Sequence, residues 1–134
     1  QAALNRAKSY MSERQQFGEP LSNFQALQFK LADMATELVA ARQMIRMAAS
    51  RVDAGHSEAT VYAAMAKQFA TDVGFKVCNE ALQIHGGYGY MQEYPLERHI
   101  RDTRVHQILE GTNEIMRVIT ARRLLALADI EAIQ

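Results

Sequence analysis

The sequence predicts an all-α domain, a left-handed up-and-down helical bundle, on three observations. Its seven glycines and two prolines gather in a few short stretches, leaving long Ala- and Met-rich segments that favour helix. Phe24, Leu27, Leu31, Met34, Leu38, Ala41, Ile45, Ala48 and Val52 are spaced by alternating threes and fours, the period of a seam packed against roughly antiparallel partners. The 134 residues are 49% hydrophobic and 22% charged, the composition of one compact domain, with no repeat, low-complexity tract or linker to divide it.

The elements follow in order. Residues 2–14 read as a first, shorter helix, broken by Gly18-Glu19-Pro20. Ser22-Asn23-Phe24-Gln25 has the form of a capping box, in which the Ser22 hydroxyl and the Gln25 side chain satisfy backbone donors at the start of the long seam helix. Asp53-Ala54-Gly55-His56 ends that helix, and Ser57 with Glu58 starts another that runs to about His85, with an anion near the positive end of its dipole. The two make an αα-hairpin. In the second, Tyr62, Ala66, Phe69, Val73, Val77, Ala81 and Ile84 form the buried stripe, and Gly74, unfavourable in a helix by about 1 kcal/mol, predicts a close contact. Two shorter helices follow, Pro95 to about Val105 and Thr112 to about Ile130.

Composition also excludes function classes. Fifteen Lys+Arg balance fifteen Asp+Glu with no long run of one sign, so there is no electrostatic footprint for nucleic acid or an anionic membrane. No stretch has the ~20 consecutive apolar residues of a membrane span. Cys78 is the single cysteine, which rules out an internal disulfide and a thiolate zinc site. His99, Asp102 and His106 share one helical face, but no Glu-x-x-His occurs, so a di-iron site is not predicted and the neighbouring Arg98, Arg101 and Arg104 read as ion-pairing residues. The methionines at 34, 44, 47, 65 and 116 read as core filling.

Two features carry candidate chemistry. Glu110, bracketed by Ile108-Leu109 and Gly111-Thr112, sits at a helix-to-helix corner. Desolvation beside the apolar pair would raise its pKa toward that of a general base, while the plain alternative is a solvent-facing corner glutamate. His85-Gly86-Gly87-Tyr88-Gly89-Tyr90 is the glycine-rich loop, either a close approach to a phosphate or planar ring, or a helix C-cap and turn. It is not a Rossmann fingerprint, because no strand precedes it and the third glycine is missing.

Four motifs in register span nearly the whole chain: Glu13-Arg14-Gln15-Gln16-Phe17-Gly18, Phe24-Gln25-Ala26-Leu27-Gln28 with Leu31-Ala32-Asp33-Met34, Gln83 to Tyr90, and Arg101-Asp102 with Ile108 to Ile115. Together they resemble the C-terminal helical domain of acyl-CoA dehydrogenases, and His106 to Asn113 is most similar to the isobutyryl-CoA dehydrogenase-like members. The resemblance implies a flavoprotein that converts an acyl-CoA to the trans-2-enoyl-CoA and passes electrons to an electron-transfer flavoprotein. Glu110 would abstract the α-proton while a hydride leaves the β-carbon for FAD, and the thioester carbonyl would take a hydrogen bond from the Glu110 backbone N–H. Leu109 and Gly111 would border the acyl group. Arg14 would meet the FAD pyrophosphate, with contacts near Gln16, Phe17 and Gln25, all from a neighbouring subunit. Gln83, Gly86 and Gly87 would lie at the adenosine or pyrophosphate end, again across a subunit boundary. Thr112 and Glu114 would approach the flavin of the subunit that supplies Glu110.

The sequence departs from the family pattern at three of these positions. Gln16 stands where many members have Thr, Leu109 where straight-chain members have Tyr, and Glu114 where some have Gln. The aliphatic Leu109 would suit a short branched acyl group. The resemblance further implies that residues 1–134 are one domain of a three-domain chain, in a dimer or tetramer, cytoplasmic if bacterial and in the mitochondrial matrix if eukaryotic. On that expectation the isolated domain folds through local contacts, self-associates and is inactive. A non-catalytic helical assembly domain and an acyl-CoA oxidase are the competing readings.

Overall fold

The computed structural model describes residues 1–128. Among them are five helices: α1 (Ala2–Glu13), α2 (Gln25–Asp53), α3 (Ala59–His85), α4 (Leu96–Val105) and α5 (Asn113–Ala126). The all-α bundle is thus the observed architecture, with two long and three shorter helices as the sequence predicts. The Ile130 end expected for the last helix lies outside the described residues, and α5 already stops at Ala126, where Leu127 turns to extended backbone.

A miniature hairpin joins α1 to α2, an element the sequence reading missed. Its strands β1 (Gln15–Gln16) and β2 (Glu19–Pro20) are antiparallel, with Gln15 opposite Pro20 and Gln16 opposite Glu19. Phe17 and Gly18 between them both have positive φ, +56° and +83°, as a two-residue turn with the hand of the strand twist requires. The expected capping box does not form. Leu21–Asn23 make a 3₁₀ turn instead, α2 opens after Phe24 without a side-chain cap, and the Ser22 carbonyl accepts from Gln28 Nε2 at 2.8 Å.

α2 and α3 pack as the long αα-hairpin. The turn between them is closed by N–H groups of Gly55 and His56 donating to the carbonyls of Val52 and Arg51 at 3.0 and 2.9 Å, the bond pattern of a Schellman cap. α3 is the central strut, in contact with all four other helices. Its stripe of Tyr62, Ala66, Val73, Val77, Ala81 and Ile84 is buried as predicted, with Phe69 packed against it. One core unites Val73, Val77, Ala81 and Ile84 of this stripe with Ala3, Leu4, Ala7 and Met11 of α1, Met34 and Ala41 of α2, and Leu96 of α4. A second core joins Ala48, Val61, Tyr62 and Ala66 to Met44, Met65 and Leu124.

Three expectations fail here for physical reasons. Ile45 and Val52 of the seam are half exposed, at 50% and 57%, because the first core holds α1 only against the part of α2 up to Ala41, and no helix among the described residues covers that side of α2 beyond it. Gly74 has open space where a Cβ would stand, so no close contact among the described residues explains it. Met47, 40% exposed, does not fill the core as Met34, Met44 and Met65 do.

Glu58, at the start of α3, is buried and forms a two-pronged ion pair with Arg123 of α5. The Arg123 hydrogen bonds hold its carboxyl below the usual carboxylate range. Lys30–Glu80 and Lys76–Glu37 cross between α2 and α3 at the surface, where such pairs contribute little.

Candidate functional site

All the predicted site residues but Phe17 and Gln25 fall into two patches, one at the end of α3 and one at the corner between α4 and α5. The first is a groove of about 640 Å³ between the end of α1, the hairpin and the end of α3. Arg14, Gln16, Gln83, Gly86 and Gly87, all singled out in the sequence, line it together. Tyr10, Leu21, Leu27, Ile84, His85, Tyr88 and Met91 complete the lining. Gln25 and Phe17 do not: Gln25 is exposed at the start of α2, and Phe17 is 92% exposed at the hairpin tip, edge-on to Phe24 at 6.2 Å.

An aromatic cluster makes the floor. Tyr10 stacks on the buried His85 ring at 4.2 Å, and Tyr94 meets both rings edge-on. His85 Nδ1 lies 2.8 Å from the Ala81 carbonyl, an acceptor only, so Nδ1 is the nitrogen that donates there. Burial pushes the Tyr10 hydroxyl pKa up, partly offset by Arg14. The Arg14 guanidinium stands 5.5 Å from the centre of the Tyr88 ring, a cation–π distance. A Cβ placed on Gly86 or Gly87 would meet nothing within 4 Å, so the loop backbone borders free space. Cation, aromatic face and open glycine backbone suit an anionic ligand with a planar ring, and the donor set fits part of an FAD molecule.

The second patch is the corner between α4 and α5. Leu109, Glu110 and Gly111 are all exposed there, and Ile108 is 51% exposed. The desolvation expected for Glu110 is therefore not supplied by the described residues: Ile108 and Leu109 are exposed too. What the sequence did not show is the backbone. Glu110 has φ +55° and Gly111 φ +88°, two consecutive left-handed residues. Thr112 caps α5 as expected, its hydroxyl accepting from Ile115 N–H at 3.3 Å. Glu114 is held below the usual carboxylate range by its own backbone N–H and by the Thr112 hydroxyl, with Arg117 and Arg104 nearby.

Beneath the corner lies a polar network that sequence reasoning missed. Asn113, 2% exposed, accepts at Oδ1 from Lys67 Nζ at 2.7 Å and donates from Nδ2 to Asp72 Oδ1 at 2.8 Å. The cation on one side and the anion on the other assign the orientation of its amide. Lys67 also donates to the Gly111 carbonyl at 2.7 Å. Asp72 further accepts from Gln107 Nε2 at 2.6 Å and from Arg117 at 3.0 Å. A signal was present in the sequence, because Lys67 is the single charged residue in the stretch 59–71.

The two patches do not meet. Asp72 and Gln83 are eleven positions apart on one continuous helix, about 17 Å at 1.5 Å per residue. No group of His, Cys, Asp and Glu able to hold a metal occurs among the described residues, and no helix among them is long and apolar enough to cross a membrane.

The chain belongs to the acyl-CoA dehydrogenase family: the model for "Acyl-CoA dehydrogenase, C-terminal domain" matches residues 1–125. Among its relatives, the mitochondrial isobutyryl-CoA dehydrogenase of Bos taurus is 55% identical over 92% of this chain and 30% of its own length. The butyryl-CoA dehydrogenase structure from Megasphaera elsdenii superimposes with a TM-score of 0.89 at 48% identity, covering 92% of this chain and 32% of that one. A structure described as the FAD complex of PigA does so with a TM-score of 0.87 at 32% identity, over 91% of this chain and 32% of that one. The chain thus spans about a third of the length of these relatives.

Proposed function

We propose that this chain is the base-bearing and assembly domain of an FAD-dependent acyl-CoA dehydrogenase acting on a short branched acyl-CoA. One observation carries the reading: a glutamate, not a glycine or asparagine, occupies a left-handed position at an exposed corner. That backbone costs about 1–2 kcal/mol for an ordinary residue, and such outliers cluster at functional sites.

In this reading the Glu110 carboxylate takes the α-proton of the acyl thioester. The substrate and the remaining polypeptide supply the desolvation that Ile108 and Leu109, themselves exposed, do not. The Glu110 backbone N–H, which faces no acceptor among the described residues, donates to the thioester carbonyl and stabilises the charge that develops there. Leu109 gives the acyl pocket an aliphatic wall, with Gly111 beside it. Thr112 and Glu114 lie toward the cofactor on the same subunit. When bound, FAD supplies the hydride acceptor. Arg14, from a second subunit, neutralises the pyrophosphate, and Gln16, Gln83, Gly86 and Gly87 border it, with Phe17 and Gln25 reaching the same cofactor from the hairpin and the start of α2. The separation of groove and corner along α3 fits this division between two subunits. The reading includes two further domains on the same polypeptide and an electron-transfer flavoprotein as acceptor. It places the enzyme in the cytoplasm of a bacterium or the mitochondrial matrix of a eukaryote.

The test is anaerobic mixing of isobutyryl-CoA with the complete, FAD-loaded polypeptide, in the parent and in Glu110→Gln, while flavin absorbance is followed. Bleaching in the parent alone supports the reading. Equal bleaching in both removes Glu110 as the base, and no bleaching in either, with butyryl-CoA also tried, favours the non-catalytic assembly domain. Rapid reoxidation of the bleached enzyme by oxygen rather than by electron-transfer flavoprotein identifies an oxidase.

A further inference from the structure

We propose that Lys67 is a positioning residue that sets the direction of the Glu110 carboxylate, an inference that rests on Glu110 being the base. Lys67 stands alone as a charge among the apolar and small residues of the first half of α3. Its ammonium donates to the Gly111 carbonyl and to Asn113 Oδ1, both at 2.7 Å, the length of a charge-assisted bond. Asn113 is buried and held from its other side by Asp72 at 2.8 Å, so the acceptor that orients Lys67 is itself fixed.

The corner leaves this bond a large share of the work. Leu109 N–H donates back to Val105 at 2.9 Å, and Asn113 N–H to Gln107 at 3.0 Å. Between those two bonds, the Lys67 contact is the one hydrogen bond to the Glu110–Gly111 backbone among the described residues. The direction of the Gly111 carbonyl follows from the torsions that precede it, including φ +55° at Glu110 and +88° at Gly111. Fixing that oxygen selects those torsions, and with them the direction of the Glu110 Cα–Cβ bond. The side chain has no such anchor of its own: it is exposed and makes no hydrogen bond among the described residues.

The experiment is Lys67→Met in the complete, FAD-loaded polypeptide, with two readouts. In anaerobic stopped flow with isobutyryl-CoA, the limiting rate of flavin reduction is expected to fall about 10- to 100-fold, while the acyl-CoA Kd changes less than about threefold, since misplacement of a reacting group slows chemistry more than binding. In hydrogen–deuterium exchange, independent of turnover, the peptide covering residues 106–116 is expected to exchange faster while α1 and α2 do not change. A parental reduction rate, a loss matched by an equal weakening of acyl-CoA binding, or unchanged exchange at 106–116 overturns the proposal. If Lys67→Met does not fold, Lys67→Gln is put through both readouts with the same criteria. Glu110→Gln runs beside it: bleaching there at the parental rate defeats the base assignment, whereas its loss together with a parental rate in Lys67→Met defeats only the positioning role.

Discussion

Replacing Asn113 by alanine tests whether the network under the corner holds α5 to α3. The amide makes two charge-assisted bonds, one from Lys67 Nζ and one to Asp72 Oδ1. Bonds to charged groups contribute about 1.5–3 kcal/mol each, which gives an upper bound of roughly 3–6 kcal/mol for the pair. Both partners keep another bond, Lys67 to the Gly111 carbonyl and Asp72 from Gln107 and Arg117. Neither is therefore stranded, and the expected loss is about half the bound, near 2–3 kcal/mol. For a domain of this length the unfolding entropy is about 0.28 kcal/mol per kelvin, so the midpoint should drop by about 7–11 °C. Thermal unfolding followed by circular dichroism at 222 nm measures it. A drop under about 2 °C would refute the reasoning, because it would mean that water replaces the amide at no cost in a site where the side chain is buried.

Gly74→Ala should raise stability by roughly 0.5–1 kcal/mol in urea unfolding, since its Cβ meets open space within a helix. Gly89→Ala should do the reverse, because its Cβ would stand 2.6 Å from the Leu82 carbonyl oxygen, and an increase in urea midpoint would contradict the packing described. The Glu58 carboxyl titrates lower folded than its ordinary 4.5, so its contribution is complete above that pH and is lost as pH falls through the folded value. Glu58→Gln should accordingly flatten the acid limb of a midpoint-versus-pH curve relative to the parent. Glu110→Gln, at an exposed corner, should leave the unfolding free energy within about 0.5 kcal/mol of the parent while abolishing flavin reduction in the complete enzyme.

The helices were legible because their signals are periodic and local. Met34, Ala41 and Ala48, one heptad apart, are all buried, and the whole stripe of α3 lies where its spacing put it. The seam misleads at Ile45 and Val52 because burial there depends on a neighbour, and α1, only twelve residues long, does not reach them. The hairpin was hidden because Gln-Gln and Glu-Pro carry none of the β-branched or aromatic residues that mark strands. In the groove, Arg14, Gln16, Gln83, Gly86 and Gly87 were found through the resemblance, but their convergence on Tyr10 and His85 depends on how α1 docks against α3. The Lys67–Asn113–Asp72 network joins residues more than forty positions apart, a pairing that no local pattern encodes.

Because groove and corner hang on one uninterrupted helix, α3 acts as a ruler. Adding or deleting one residue between Asp72 and Gln83 would slide one patch by about 1.5 Å and swing it by about 100° around the axis relative to the other. Both a translation and a rotation would then need correction. Insertions engineered into the connections, such as the turn at 54–58 or the segment 91–95, would leave that spacing intact, whereas one within α3 would not.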